Sequence, residues 1–298
     1  MGFILALLTG LCFAISNILV RKGMAHSQKD NGVLTTLLVN LIVLGGAALL
    51  FRLLTEGQPI TWQGLGWFAL AGVFTTFLGR TTLFMSFRHI GPTRGTAVKN
   101  SAPMFTVLFA VLFLGEAVAG LPLVGIILVL CGLFIQGYYM VQQGPDLSVD
   151  KGRERKGYFI ALTSAVVFGI GQAFRKPGME SMSDPFLGAF ISASVASILF
   201  LSVEARETRI FTQIKRQIKA KNIYYIGAGV FTSFAMICFF SAIMFIPVSY
   251  VAVVAALEPM LTIILSKLFL RQEEKIYGYT LAAAFTIVGG VAMIILFT

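Results

Sequence analysis

Three ionisable side chains, Arg80, Lys99 and Glu258, stand inside stretches of sequence that are otherwise apolar. A charge at the centre of a bilayer costs about 2.5 to 3.5 kcal/mol and persists there when it is paired or faces an aqueous cavity. Arg80 offers a planar fork that matches a carboxylate or phosphate and Lys99 a compact point charge, so together they read as an anion clamp. Glu258, directly before Pro259, is then a counter-ion that the anion displaces or a proton-coupling group. The competing reading joins the three in a buried ion pair or triad that ties helices together. Two cations and one acid leave one positive charge over, which favours an anionic ligand. Lys267, near the end of its apolar run, snorkels.

Neutral polar residues at similar depth complete the candidate site. Asn17 and Gln172 are read as cavity residues, against ordinary hydrogen bonding between helices, and Asn100, next to Lys99, joins the substrate-binding set. Thr75, Thr76, Thr232 and Ser233 are expected to satisfy carbonyls of their own helices. Pro103 and Pro259 interrupt a helix and suit a gate, although a static kink uses the same residues.

Positioning such residues requires membrane-spanning elements, and the composition supplies them. Of the 298 residues, 57% are hydrophobic and 12% charged, against roughly 25% charged in soluble domains, and mean hydropathy is +0.87. The net charge of +10 reflects few acids and no basic tract interleaved with aromatics, so disorder and nucleic-acid binding are excluded. Apolar runs long enough to span about 30 Å of hydrocarbon recur ten times. They are Phe3 to Val20, Val33 to Phe51, Leu65 to Phe87, Thr96 to Leu114 and Leu121 to Val141, then Tyr158 to Phe174, Phe186 to Val203, Ile223 to Phe245, Val248 to Leu270 and Tyr277 to Phe297. The first run has no preceding positive charge and is followed by Arg21 and Lys22, so it reads as a retained helix and not as a signal peptide.

The runs fall into two copies. Residues 1–141 form one five-helix unit, 142–156 a polar linker, and 157–298 a second unit. Ala71-Gly-Val-Phe-Thr-Thr-Phe77 meets Ala228-Gly-Val-Phe-Thr-Ser-Phe234, Pro92 meets Pro247, and Pro103 meets Pro259. An odd number of helices per copy makes the second enter the membrane from the opposite side. The expected fold is therefore all-α, with ten transmembrane helices as two inverted five-helix repeats, an arrangement found in transporters.

The fourth helix of each half resembles the ten-helix EamA-type members of the drug/metabolite transporter superfamily. The residues are Pro103, Leu112-Phe-Leu-Gly-Glu116, Gly125 and Gly132, then Pro259, Leu268-Phe-Leu270, Glu273, Ala282 and Gly289. Arg271-Gln272-Glu273 replaces the Gly-Glu pair in the second copy. The resemblance implies that the first, third and fourth helices of each half line a central cavity, and it is weak for the substrate. The leading expectation is a secondary transporter of a small anionic metabolite by alternating access. The alternatives are an exporter of amino acids or amphipathic drugs, in which the intramembrane charges are structural, and a flippase for a lipid-linked sugar or phosphate.

Loop charges address orientation. Among the even-numbered loops, Arg52, Arg175 and Lys176 are the cations, whereas odd-numbered loops carry runs such as Lys151, Arg153, Arg155 and Lys156. Positive loops stay cytoplasmic, which places both termini outside, whereas the resemblance favours both inside. A plasma (inner) membrane is the expected location. Residues 209–221 read as a short interfacial amphipathic helix on anionic lipid. Small residues in the fifth helix (Gly125, Gly132) and the tenth (Ala282, Thr286, Gly290) serve a homodimer or an internal contact.

No catalytic role is expected. Gly169-x-Gly171 and Gly227-x-Gly229 lack a third glycine, no Gly-x-Ser-x-Gly occurs, and His26 and His89 have no metal-ligand spacing. Cys12, Cys131 and Cys238 are dispersed through apolar runs, without disulfide or zinc patterning. Neither cofactor nor metal is called for, and the partners expected are the bilayer and a small-molecule substrate.

Overall fold

A spanning segment has no water for its backbone, so its amide and carbonyl groups must bond within the segment, and helices satisfy that requirement. A computed structural model describes residues 1–26, 32–55, 59–143, 151–207, 222–270 and 278–298; among these every regular element is helical. The first half comprises α1 (Gly2–His26), α2 (Val33–Leu54), α3 (Trp62–Gly72), a π-helical segment (Val73–Gly79), α4 (Arg80–Lys99), α5 (Ala102–Phe113) and α6 (Leu121–Gln143). The second comprises α7 (Lys151–Ala173), α8 (Arg175–Ser181), α9 (Pro185–Glu207), α10 (Ile223–Ile243), α11 (Val248–Ala255), α12 (Glu258–Leu270) and α13 (Gly278–Phe297). Among the described residues nine helical stretches are long and apolar enough to cross a bilayer, and Ala102–Phe113 is a shorter apolar helix. The residues of the expected interfacial helix, 209–221, lie outside the described set.

Two boundaries differ from the sequence reading. The run Thr96 to Leu114 is not one helix. Backbone reverses at Gly91 (φ 79°, ψ 162°), a left-handed conformation that glycine adopts without strain, and the chain re-enters the bundle through residues 92–99. Helix α4 then stops at Asn100, and α5 starts at Ala102 with Pro103 in its first turn. Proline lacks the N–H that would continue the ladder but is accommodated in a first turn. The second half repeats the device, with α11 ending before Ala256 and α12 starting at Glu258-Pro259. Both prolines therefore open the second segment of a broken helix rather than kink a continuous one. The other difference concerns the linker. Lys151 to Lys156 form the first turns of α7, since Glu154 pairs with Arg94 (3.3 Å) and Arg153 donates to the Arg88 carbonyl (3.0 Å).

The halves interlock. Helix α1 packs on α10, α11 and α12 of the other half, while α7 packs on the π segment, α4 and α5. The contact of α2 with α10 is matched by that of α9 with α3, and α6 packs on α13. The α6–α13 seam is where the small residues are used. A Cβ on Gly125 would meet the Gly290 carbonyl oxygen at 2.6 Å, and one on Gly132 would meet Thr286 Oγ1 at 2.5 Å. Alternation of the helices puts Gly2, Glu116, Ser181, Val248 and Thr298 at one face, called here the terminal face, and His26, Gly91, Lys151 and Asn222 at the other.

Candidate functional site

The two broken helices are interrupted inside their apolar runs, between Lys99 and Ala102 and between Ala255 and Glu258. Helix α4 ends on Lys99 and α12 begins on Glu258, so a cation meets the negative end of one helix dipole and an acid the positive end of another. Both breaks are closed by tight turns: Ser101 N donates to Val98 O (3.1 Å) and Leu257 N to Val254 O (3.2 Å). Asn100 lies in the first break, its backbone N–H donating to Thr96 O (3.0 Å).

Lys99 and the backbone just before Arg80 meet one ring. The Lys99 ammonium is 4.2 Å from the centroid of Phe168 on α7, a cation–π contact. The same ring lies against Gly79, whose added Cβ would be 3.1 Å from Phe168 Cδ2, and Arg80 is the next residue. Arg80 follows the π-helical segment directly, a type of irregularity frequent at functional sites. An outside donor accompanies the distortion: Ser164 Oγ donates to the Gly79 carbonyl at 2.7 Å. Among the described residues no carboxylate pairs with either cation.

Glu258 takes a different partner. Asn17 Nδ2 on α1 donates to Glu258 Oε1 at 2.7 Å, and Asn17 is exposed although it is far from either end of its helix. Its counterpart Gln172 on α7 accepts from Thr106 Oγ1 of α5 at 3.2 Å. Each pair joins the first helix of one half to the broken fourth helix of the other. The ion triad considered from sequence is thus replaced by an anionic hydrogen bond on one side and two unpaired cations on the other. Lys267 is exposed near the end of α12, and each hydroxyl bonds a carbonyl of its own helix, Thr75 to Ala71 O (2.6 Å), Thr232 to Ala228 O (2.8 Å) and Ser233 to Gly229 O (2.9 Å), while Thr232 also meets the Ser16 hydroxyl (2.8 Å) and Ser233 the Asn40 side chain (3.0 Å) across helices.

Two functional groups escaped the sequence reading. Glu116, quoted only as part of a motif, is buried and accepts from the backbone N–H groups of Val248 (2.8 Å) and Ser249 (3.0 Å), from the Ser249 hydroxyl and from Lys176 Nζ (3.0 Å). It caps α11 across the two halves. Arg175 and Lys176, assigned to a loop by charge counting, belong to the helix α8 that prolongs α7. Arg175 is only 4% exposed. The missed signal was the absence of any breaker between Gln172 and Lys176, Pro177 falling in the first turn of α8 where it is tolerated. The second face contact at this end, Arg52 with Asp184 (3.2 Å), also spans the halves, and Asp184 caps α9 through Leu187 N (2.9 Å).

Among the described residues, nine long apolar helices, two of the helical runs broken by tight turns, mark a multi-pass membrane protein. The EamA-like transporter family model matches residues 1–137 and again 155–296, and the chain belongs to that family. A protein of Clostridium kluyveri described as an uncharacterized transporter is 24% identical over 299 residues, which cover 97% of this chain and 92% of the relative. A protein crystal structure 17% identical in sequence aligns over 98% of this chain and 97% of its own with a TM-score of 0.67, a likeness of fold.

Proposed function

We propose that the protein is a secondary transporter of the plasma membrane whose two repeats, inverted across the bilayer, alternate access to the Arg80–Lys99 site, and that its substrate is a small anion bearing a carboxylate or phosphate. The observation that carries this reading is the Lys99 ammonium on Phe168, with Arg80 next to the Gly79 that packs on the same ring and no acidic partner for either cation among the described residues, while Glu258 is engaged by Asn17. Cations within a spanning bundle persist without a protein partner where a ligand or water completes them. The breaks before Pro103 and Pro259 supply the discontinuous helices on which such sites are built and about which halves rock. Asn100 and Gln172 complete the substrate-binding set, with Asn17 and Glu258 as the opposing wall.

The test is a thermal-shift screen of purified protein against matched anionic, zwitterionic and cationic metabolites. Ligand at 100 times its Kd adds about 2.7 kcal/mol of stability. Stabilisation by anions is expected and is expected to vanish in Lys99→Ala and Arg80→Ala, both of which should remain folded. Stabilisation by zwitterions or amphiphiles that survives both substitutions would instead support an exporter of amino acids or drugs. One observation favours that second reading: Trp67, Phe74 and Phe109 all pack on Phe174, with ring centroids 5.2 to 5.5 Å away, and offer an apolar surface to a substrate.

We infer orientation from the loop charges, which favour both termini outside against the inside placement that the family resemblance favours. A reporter active only outside the cytoplasm, fused after Thr298, is expected to be on; a silent fusion, with the reciprocal cytoplasmic reporter active, reverses the assignment.

A further inference from the structure

Arg175 is a buried cation that the proposed site does not use. Its guanidinium carbon is 4.5 Å from the Phe239 centroid and 4.9 Å from that of Phe240. Its Nε is enclosed and has no acceptor, and no carboxylate among the described residues pairs with it. The rings satisfy the faces of the guanidinium, yet its donors all lie in its plane. The neighbouring Lys176 cannot be relieved of its own charge by the same route, being held by Glu116 at 3.0 Å.

Location gives this residue a role. Phe239 belongs to the apolar cluster formed by α11 with α5, α6 and α13, and Phe240 to the cluster formed by α2, α3, α8 and α9. Arg175 therefore lies at the seam between the two clusters, toward the terminal face, where the Glu116–Lys176 and Arg52–Asp184 pairs join the halves. In the first repeat the matching position is Val20. Arg80 and Lys99 break the repeat, since Ile237 and Ala255 occupy their counterpart positions. Arg80 and Lys99 are therefore absent from the second copy, whereas an Arg-Lys pair stands at the end of the first helix in both, Arg21-Lys22 and Arg175-Lys176. A planar fork with free in-plane donors selects a carboxylate or a phosphate.

We propose that Arg175 is a second oxyanion-binding residue of the transport path, which takes the substrate's carboxylate or phosphate between the Arg80–Lys99 site and the terminal face. This rests on the anion reading of that site. With the terminal face closed, the guanidinium is stored on Phe239 and Phe240. Separation of the two clusters frees its in-plane donors for the passing anion. Binding at Arg80 and Lys99 from the opposite face does not need Arg175, whereas translocation does.

The experiment uses full-length protein and two probes, inorganic phosphate and malate, each read by thermal shift in detergent and by exchange of the labelled anion in proteoliposomes. Arg175→Met fits the apolar seam without the charge. It is expected to melt no lower than wild type, to keep the shift given by the probe, and to lose at least tenfold in exchange. Arg175→Lys, which retains charge without the fork, is expected to fall between the two and covers the case in which the methionine variant does not fold. Exchange at the wild-type rate in either variant overturns the proposal, as does loss of the thermal shift in step with exchange, which marks Arg175 as part of the first site. Failure of the underlying reading looks different: neither probe then stabilises or exchanges in wild type, or both effects survive Lys99→Ala, and the two proposals fall together.

Discussion

Glu116→Ala is expected to destabilise the protein by about 3 to 5 kcal/mol, the range for removing one partner of a buried charged pair. The carboxylate is buried and satisfies four donors, two of them backbone N–H groups at the start of α11, one the Ser249 hydroxyl and one the Lys176 ammonium. Alanine leaves the N-terminus of α11 without its cap, a loss of about 0.5 to 2 kcal/mol by itself, and strands an ammonium that is only 22% exposed. Glu116→Gln keeps an acceptor but not the charge and should fall between wild type and alanine. Glu180→Ala is the control. Its carboxylate is 3.9 Å from the same ammonium and 64% exposed, so less than about 1 kcal/mol is expected. Unfolding in mixed micelles reads all three; equal stability of the Glu116 and Glu180 variants would show that the bridge between the halves holds nothing.

A comparable loss is expected from Gly290→Leu, on the order of 3 kcal/mol, with Gly289→Leu close to neutral. A Cβ on Gly290 would meet the Gly125 carbonyl oxygen at 2.5 Å and Val129 N at 2.9 Å, both rigid backbone, whereas one on Gly289 meets nothing within 4 Å. Overpacking of a close helix contact costs about 1 to 3 kcal/mol and more when backbone must move, and here α13 must lift off α6. Micelle unfolding together with the monodispersity of the purified variants measures it. If both leucines behave alike, the seam is not as tight as its backbone contacts require.

These two glycines also mark how far the sequence could be read. The spacing of Ala282, Thr286 and Gly290 announced a helix contact, but a dimer and an internal seam demand the same small residues, and only the partner carbonyl of Gly125 decides between them for Gly290. The threonines were legible in their local bonds, Thr75 and Thr232 reaching carbonyls four residues back, whereas the bond of Thr232 to Ser16 on α1 was not. Pro103 and Pro259 were legible as interruptions, since the missing N–H is a property of the residue. That each stands in the first turn after a tight turn in the helix depended on the bonds at Ser101 and Leu257. Loop counting misplaced Arg175 because a charged residue at the end of an apolar run carries no sign of what packs over it, here Phe239 and Phe240 from a helix more than 60 residues on.

The sequence by itself determined that the chain spans a membrane, where its apolar runs lie, and that its architecture is duplicated. All of these follow from run length, hydropathy and residue identity, which act over one or two helical turns. The tertiary structure decided the partners. Glu258 is bound to Asn17, 241 positions away, and not to Arg80 or Lys99; Glu116 caps a helix 132 positions on; Lys99 rests on Phe168 of the other half. The physical reason is that desolvated charges are settled by the donors and rings that interlocked helices bring within about 4 Å, and which helices interlock is a property of the whole bundle.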